Sequence, residues 1–172
     1  MSKTLILFRH AKSAWPDGLE DHERPLADRG RKAAPVMAKW LAGTGFKPTV
    51  ALVSTARRTQ ETWSLAAPEL GKIVKRDSAE IYEAPVGRIL DAIHGVEPSV
   101  ETLLIVGHNP DMEDLARLLM KDDGGKPGAR LREKFPTAGI AVLSLPVEDW
   151  TIVTPRIATL EHFVTPKSLT KP

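Results

Sequence analysis

The chain has 172 residues, of which 42% are hydrophobic and 27% charged, a globular composition long enough to bury a sizeable core. Its 24 lysine and arginine residues against 22 aspartate and glutamate residues give a formal net charge of +2 without a dominant basic run, which argues against a nucleic-acid partner. The sequence contains no cysteine, which excludes disulfides, a thiolate nucleophile and cysteine-ligated metals.

The first predicted element is a buried strand over residues 4–8, an apolar run bounded by polar residues. This run is too short for a signal peptide or a membrane span, so we expect a soluble, cytoplasmic protein with no membrane partner. Arg9 and His10 follow directly, at the strand end where ligands bind in open α/β sheets. An arginine fork suits phosphate oxygens, and a neutral imidazole can attack phosphorus. Taken alone, the stretch favours a structural Arg-His pair, and the later motifs reverse that preference.

A loop and a helix follow this strand. Residues 14–26 contain prolines, a glycine and a dense group of charges, which together indicate a loop. Asp28 is a suitable N-cap for a helix that reaches about residue 41. Gly30 and Pro35 count against the early part of this helix, so we expect distortion there.

Strands and helices alternate from there to residue 120. Short apolar runs predict the strands, and apolar residues at helical spacing predict the helices. Pro68 is expected to stop the second helix at residue 67. The expected elements are strand 49–53, a helix that begins within 54–62, strand 73–76, helix 86–95, strand 103–106 and helix 111–120.

The last third of the chain is predicted to be less regular. Residues 121–134 are charged and glycine-rich and indicate a surface loop without regular structure. Strands over 140–145 and 151–157 are expected to be joined by a turn, and the tail over 165–172 is expected to fray. Because helices alternate with buried strands and no linker is present, we expect a single domain over residues 1–172 with a three-layer α/β architecture.

Basic side chains follow three of the predicted strands. In a largely parallel sheet the three strand ends face the same edge, so these side chains converge on a pocket suited to a dianion. Helices that begin after the second and third of these strands add backbone N–H donors. The pairs of residues are Arg9-His10, Arg57-Arg58 and His108-Asn109.

Three motifs resemble those of the histidine phosphatase superfamily, also called the phosphoglycerate mutase-like family. They are Arg9-His10-Ala11, Ser54 with Arg58 and Thr62, and Gly107-His108-Asn109-Pro110. The loop Asp21-xx-Arg24-Pro25-Leu26-xxx-Gly30 is similar to that of the short phosphohistidine phosphatases of the SixA type. The resemblance spans roughly residues 4–145 and implies an α/β/α sandwich with a mostly parallel, mixed central sheet.

The resemblance also implies roles for individual residues. Arg58 fits the family spacing better than Arg57, which is the reserve candidate for the same role. Ser13 and Lys12 follow the nucleophile closely, so Ser13 is a candidate phosphate donor and Lys12 a candidate attractor of anions at the rim. The implied catalytic residues are His10 as nucleophile, Arg9 and Arg58 as phosphate-binding arginines, and His108 as the second histidine.

The sequence departs from the family pattern at three positions. Ala11 replaces the usual glycine after the nucleophile, and Glu61 replaces the glutamine before the threonine of the second motif. Pro16 replaces the asparagine of the mutase-like branch, so that branch's substrate contact is missing.

The expected mechanism needs neither a metal nor an organic cofactor, and the sequence shows no metal-ligand spacing such as HxxxH. His10 must be neutral at its attacking nitrogen, and its other ring nitrogen needs an acceptor to fix the tautomer. Arg9, Arg58 and a protonated His108 are expected to neutralise the phosphoryl oxygens during transfer. A water molecule then cleaves the phosphohistidine intermediate.

The leaving group separates the candidate substrates. Sugar and glycerate alkoxides need a carboxylic acid as proton donor, whereas imidazole takes up a proton at about pKa 6.5 and needs little help. Glu80 is the positional candidate for such an acid, with Glu83 nearby, but both fit surface charges. We therefore expect phosphohistidine on a protein as the substrate. The alternatives are a small phosphorylated substrate with Glu80 as general acid, and a phosphate-binding module without catalysis.

Overall fold

A six-stranded mixed sheet forms the centre of the protein in the computed structural model, which describes residues 2–170. In chain order the strands are β1 (Lys3–Arg9), β2 (Val50–Ser54), β3 (Val74–Ser78), β4 (Thr102–Gly107), β5 (Ile140–Leu145) and β6 (Thr159–Val164). Their spatial order is β3-β2-β4-β1-β5-β6. The first four strands run parallel, while β5 is antiparallel to both of its neighbours.

Six helices cover the two faces of this sheet. On one face lie α1 (Asp28–Gly43), α2 (Arg57–Leu70) and the short α6 (Pro166–Thr170). On the other lie α3 (Val86–His94), α4 (Asp111–Leu119) and α5 (Gly125–Glu133). The predicted three-layer α/β/α sandwich with a mostly parallel sheet is therefore confirmed. None of these helices, all within residues 2–170, has the length and apolarity to cross a bilayer.

The central strands are apolar on both sides because both faces of the sheet are covered. In β1, Leu5 and Leu7 face one hydrophobic cluster while Ile6 and Phe8 face the other, and all four are fully buried. Burial of a side chain of this size contributes roughly 1.5–3 kcal/mol. The polar residues that follow such strands are therefore attached to a rigid platform.

Helices α1 and α2 continue through the prolines that were expected to disturb them. In α1 the helix is unbroken over Gly30 and Pro35, so neither residue ends the helix. Helix α2 runs to Leu70 rather than stopping before Pro68. The proline there removes only one hydrogen bond, near the end of the helix and beside the exposed Ser64, where water can satisfy the freed carbonyl group.

The segment 121–134 is not the irregular loop that its composition indicated, because α5 occupies residues 125–133. Leu131 of this helix is fully buried in the core, and Gly128 is also buried. At Gly128 a Cβ atom would lie 1.8 Å from the carbonyl oxygen of Asp123, so the glycine is needed for a close backbone approach. Glycine has a low intrinsic helix propensity, but the close packing against Asp123 requires it at position 128.

Two further predictions for the C-terminal part were wrong. Residues 151–157 are not a strand, because Trp150 is fully buried in a short 3₁₀ turn and its Nε1 donates to the carbonyl oxygen of Val100 at 2.8 Å. The last strand is β6 instead, and a register shift in its pairing with β5 breaks the simple alternation of buried and exposed residues. The tail expected to fray from residue 165 forms α6, while residues 171 and 172 lie outside the described part.

Candidate active site

The ends of three parallel strands bring the predicted site residues together. Arg9 at the end of β1 pairs in register with Gly107 at the end of β4, and the residues that follow are His10 and His108. The centroids of the two imidazole rings are 5.3 Å apart. Strand β2, on the other side of β4, leads into Arg58. The convergence predicted from the sequence is therefore present.

His10 is buried and held in one tautomer. Its Nδ1 lies 2.7 Å from the carbonyl oxygen of Ala11, an acceptor, so we assign the ring proton to Nδ1 and the free lone pair to Nε2. Burial, with added repulsion from the charges of Arg9, Arg58 and Arg24, lowers the pKa of His10 to about 3. The side chain is therefore a neutral imidazole with an available nucleophilic nitrogen near neutral pH.

Burial also favours the neutral form of His108, and its protonation during phosphoryl transfer stays a prediction. Burial lowers its pKa to about 3, and the neighbouring His10 and Arg58 add to this effect. Its Nε2 lies 2.7 Å from the hydroxyl oxygen of Ser54. That hydroxyl can donate to Nε2 while it accepts a hydrogen bond from the backbone N–H of Ala56, which leaves the ring proton of His108 on Nδ1.

The second motif delivers Arg58 to the site and leaves Arg57 outside it. Arg58 is buried, and its Nη1 and Nη2 donate to the backbone oxygen and to Oδ2 of Asp21 at 2.8 and 3.1 Å. Arg57 is exposed and forms an ion pair with Glu61 one helical turn away. Glu61 also accepts from the backbone N–H of Leu26, so this departure from the family pattern serves to attach the loop to α2.

Three buried polar atoms surround His10 without a hydrogen-bond partner. They are Nε of Arg9, Nε of Arg58 and Nδ1 of His108, and no other buried side-chain nitrogen or oxygen in residues 2–170 lacks a partner. A buried donor without an acceptor costs about 1–3 kcal/mol, so folded proteins rarely retain one without a use for it. All three atoms belong to residues that adjoin His10 in the site, which makes them candidate donors to a bound anion.

A hydrogen bond to the backbone also orients the side chain of Arg9. Its Nη1 donates to the carbonyl oxygen of Phe135 at 2.9 Å, which orients the guanidinium group. Burial and the charge of Arg58 lower its pKa, while Glu113 opposes the shift. Since arginine keeps its proton in proteins, the lowered pKa reports mainly the burial of the charged group, with a smaller contribution from Arg58.

Asp21 organises the site, a role that the sequence did not reveal. Asp21 pairs with Arg24, whose Nη1 donates to Oδ1 at 3.0 Å. Oδ2 accepts in addition from Arg58 and, at 2.7 Å, from the hydroxyl group of Tyr82. The hydrogen bond from Tyr82, followed by that from Arg24, holds the pKa of Asp21 well below its usual range. The carboxylate is therefore ionised and links the loop to α2.

Tyr82 is the functional candidate that sequence reasoning missed. Its ring packs edge-on against that of His108, with centroids 5.5 Å apart, and against His22 at 4.8 Å. Burial and the hydrogen bond to Asp21 raise the pKa of Tyr82 to about 12. The only sequence signal was that this tyrosine, the single one in the chain, lies between Glu80 and Glu83.

Thr62 joins the first two motifs. Its hydroxyl oxygen accepts from the backbone N–H of Ala11 at 3.0 Å and donates to the carbonyl oxygen of Arg58 at 2.8 Å. Because Ala11 follows His10 and Arg58 is itself a site residue, the hydroxyl group fixes the position of His10 relative to α2. Ala11 is fully buried and keeps this contact in place of the usual glycine.

Ser13 contacts Arg24 beside the site. It is buried, and its hydroxyl oxygen accepts from Nη2 of Arg24, whose guanidinium group also stacks on the exposed ring of Trp15 at 3.1 Å. This position makes Ser13 part of the support for the loop. Its binding of phosphate stays a prediction.

The two glutamates considered as proton donors lie at the surface. Glu80 is exposed in a shallow depression that it shares with Ala79, Arg88 and Asp91, and Glu83 is exposed as well. Within residues 2–170 no group of three or more histidine, aspartate or glutamate side chains is arranged to hold a metal ion.

Comparison with known proteins agrees with this geometry. The family model of the histidine phosphatase superfamily (branch 1) matches residues 5–94. An uncharacterized protein from Mycobacterium tuberculosis is 39% identical over 165 residues, which cover 93% of this chain and 100% of that protein. A solved structure from Nakamurella multipartitia, described as a candidate phosphohistidine phosphatase SixA, has a TM-score of 0.86 and 29% identity over 96% of this chain and 97% of that one. One from Agrobacterium tumefaciens with the same description has a TM-score of 0.80 and 30% identity, over 95% and 98% of the two chains.

Arginine and imidazole groups lie together at the carboxyl edge of the parallel strands, an arrangement suited to binding a phosphoryl group. The chain belongs to the histidine phosphatase superfamily. It is a phosphatase with the fold of the SixA-type proteins.

Proposed function

We propose that the protein hydrolyses phosphohistidine on a partner protein through a covalent phosphohistidine intermediate at His10. The observation that carries this proposal is the set of three buried, unpartnered donors, from Arg9, Arg58 and His108, around a neutral imidazole. In this proposal the Nε2 lone pair attacks phosphorus, and the three N–H groups donate to the oxygens of the phosphoryl group.

The reaction has two displacement steps at phosphorus. In the first, Nε2 of His10 forms a bond to phosphorus as the bond to the substrate imidazole breaks, and that imidazole takes up a proton from solvent water. In the second, water attacks phosphorus, the bond to His10 breaks and inorganic phosphate leaves. The ring proton of His10 stays on Nδ1, held by Ala11, so the nucleophile returns to its starting state. The two guanidinium groups balance the phosphoryl charge throughout, and this role needs no metal ion.

Neither Asp21 nor Glu80 is suited to donate a proton to a leaving group, and this favours a substrate whose leaving group is a nitrogen. Asp21 touches Arg58 and Tyr82, but its pKa lies well below the usual range, so it carries no proton to donate near neutral pH. Glu80, the other candidate acid, is exposed in a separate depression. An alkoxide would need such a donor, whereas imidazole is protonated readily. The solved structures described as candidate phosphohistidine phosphatases support the same substrate.

The test uses a phosphotransfer protein carrying radiolabelled phosphohistidine. We expect rapid mixing and acid-free quenching to trap label on the enzyme, mass spectrometry to map it to His10, and His10→Ala to abolish both label and turnover. His162→Ala, an exposed histidine on β6, is the matched control and is expected to keep both. Turnover should be insensitive to a chelator.

Three outcomes would contradict the proposal. Faster turnover of sugar phosphates, lost in Glu80→Gln, would indicate a small-molecule phosphomonoesterase. Turnover that a chelator abolishes would contradict the metal-free mechanism. Binding of phosphate with no turnover above that of His10→Ala would indicate a phosphate-binding module.

A further inference from the structure

A basic groove lies beside the site and has Arg9 among its lining residues. It encloses about 940 Å³ between the end of β1, the start of α1, the segment between α5 and β5, and the start of α6. Glu133 is the only carboxylate among the residues that line it in the described part of the chain. The cationic lining residues are Arg9, Lys12, Arg29, Arg130, Lys134 and Lys167.

Four of these cations are available to a partner. Lys12, Arg29, Lys134 and Lys167 are all exposed, and none of them forms an ion pair within residues 2–170. The whole chain has a net charge of only +2, so this concentration of positive charge is local. Exposed charges on flexible stems increase the rate and selectivity of encounter with an oppositely charged protein surface.

The floor of the groove is apolar and is attached to the nucleophile. Phe163 and Ala138 are buried in it. The backbone N–H of Ala138 lies within hydrogen-bonding distance of the carbonyl oxygens of both Arg9 and His10, at 3.1 and 2.9 Å. A chain that occupies the groove therefore lies next to the backbone of the phosphoryl acceptor. A protein interface commonly combines such an apolar centre with a charged rim.

We propose that this groove binds an acidic segment of the phosphoprotein that lies beside the phosphohistidine, and this proposal rests on the proposed function. The phosphoryl group itself is accounted for by the donors around His10. A small second anion would call for buried, preorganised donors, whereas Lys134 and Lys167 are exposed and on long side chains. Several carboxylates on one polypeptide match several separated cations.

The first test measures turnover with two substrates in a charge-reversed double variant, Lys134→Glu with Lys167→Glu. We expect the ratio of kcat/KM for an acidic phosphotransfer protein to kcat/KM for free phosphoimidazole to fall about fivefold or more at low ionic strength. The matched control is Lys39→Glu with Lys72→Glu, which reverses two exposed charges outside the groove and is expected to leave the ratio unchanged. An equal fall in the ratio for both double variants would overturn the proposal.

The second test measures binding without catalysis, so it separates this proposal from the proposed function. The probe is a short fluorescein-labelled peptide that alternates aspartate with glycine, and fluorescence anisotropy reports its dissociation constant. We expect salt-dependent binding to the wild-type protein, a Kd at least about fivefold weaker in the groove variant, and no change in the control variant. This result would support the groove even if phosphohistidine were not a substrate. Equal peptide binding by all three proteins would overturn the proposal, as would a selective loss of turnover on a small bisphosphate with peptide binding intact.

Discussion

The imidazole rings of His10 and His108 face each other with centroids 5.3 Å apart and planes inclined by 55°, and burial keeps both rings neutral. Each ring has one nitrogen fixed by a neighbour, Ala11 for the first and Ser54 for the second. The two adjacent rings therefore offer a lone pair on Nε2 of His10 and an N–H group on Nδ1 of His108. That combination suits an electrophilic phosphorus atom that carries anionic oxygens.

The neutrality of the pair predicts how stability depends on pH. The folded pKa of each ring is about 3, below the unfolded value of about 6.5, so the unfolded chain takes up protons first as the pH falls. The free energy of unfolding should therefore decrease as the pH falls from about 6.5 toward 3, by up to about 1.4 kcal/mol per pH unit for each histidine.

Nuclear magnetic resonance can check this directly. The ring resonances of His10 and His108 in the folded protein should not shift between pH 7 and 5, whereas in urea they should titrate at about pH 6.5. Urea unfolding between about pH 7 and 5 measures how the free energy of unfolding depends on pH. This pH range lies above the one in which carboxylates titrate. A folded-state midpoint at about pH 6.5 for either ring would contradict the prediction.

Ser54 is expected to be a positioning residue that sets the tautomer of His108. In Ser54→Ala the hydroxyl donor to Nε2 is lost, so the proton of the ring should distribute between Nδ1 and Nε2. We expect kcat/KM to fall by about tenfold and the nitrogen-15 shifts of the His108 ring to show a mixed tautomer. Ser64→Ala, an exposed serine on α2, is the control. Unchanged nitrogen shifts in Ser54→Ala would show that another group sets the tautomer.

Asp21→Asn tests the link between the loop and Arg58. The substitution removes the charge that Arg58 and Tyr82 share, so kcat/KM should fall by about tenfold to a hundredfold as Arg58 loses its fixed orientation. The pKa of Tyr82 should also decrease from about 12, because both the hydrogen bond and the negative charge that raise it are weakened. Since the chain has a single tyrosine, ultraviolet titration of the tyrosinate reports this pKa without interference.

Asp17→Asn is the matched control for that experiment, because Asp17 is exposed in the same loop. It is expected to alter neither kcat/KM nor the tyrosine titration. If Asp21→Asn also left both unchanged, the network around Asp21 would have no part in orienting Arg58.

Gly30→Ala tests the contact between α1 and the segment after the nucleophile. A Cβ atom at this position would lie 2.1 Å from the carbonyl oxygen of Lys12 and 2.8 Å from its nitrogen, so backbone must move. We expect the free energy of unfolding to decrease by about 1–3 kcal/mol, measured by urea denaturation, and kcat/KM to fall because Lys12 is two residues from His10.

Gly43→Ala in the same helix separates this clash from a general effect of alanine. A Cβ atom at Gly43 meets no other atom within 4 Å, so the substitution should be neutral or stabilising by up to about 1 kcal/mol. If both variants had the same stability, the close approach at Lys12 would be energetically unimportant.

Local sequence patterns predicted the strands that carry the site residues and failed for several elements in the last third of the chain. The apolar runs of β1, β2 and β4 are buried on both faces, so their composition alone identifies them. Helix α5 carries two glycines and a proline, and only its packing against the core stabilises it. Strand β6 was missed because a register shift disturbs its alternation.

The same division applies to the site. The motifs identified Arg9, His10, Arg58 and His108 because residue type and spacing are properties of the chain itself. The roles of Asp21 and Tyr82 could not be derived, since their contact joins residues 61 positions apart.

The sequence by itself determined which strands are buried and which side chains stand at their ends, because hydrophobic patterning and chain order are local properties. Only the tertiary structure decided that His108 is neutral, that Asp21 holds Arg58, and that cations from four separate segments line one groove. These properties depend on burial and on neighbours distant along the chain. A pKa, a hydrogen-bond partner or a surface charge pattern is therefore fixed only when the chain has folded.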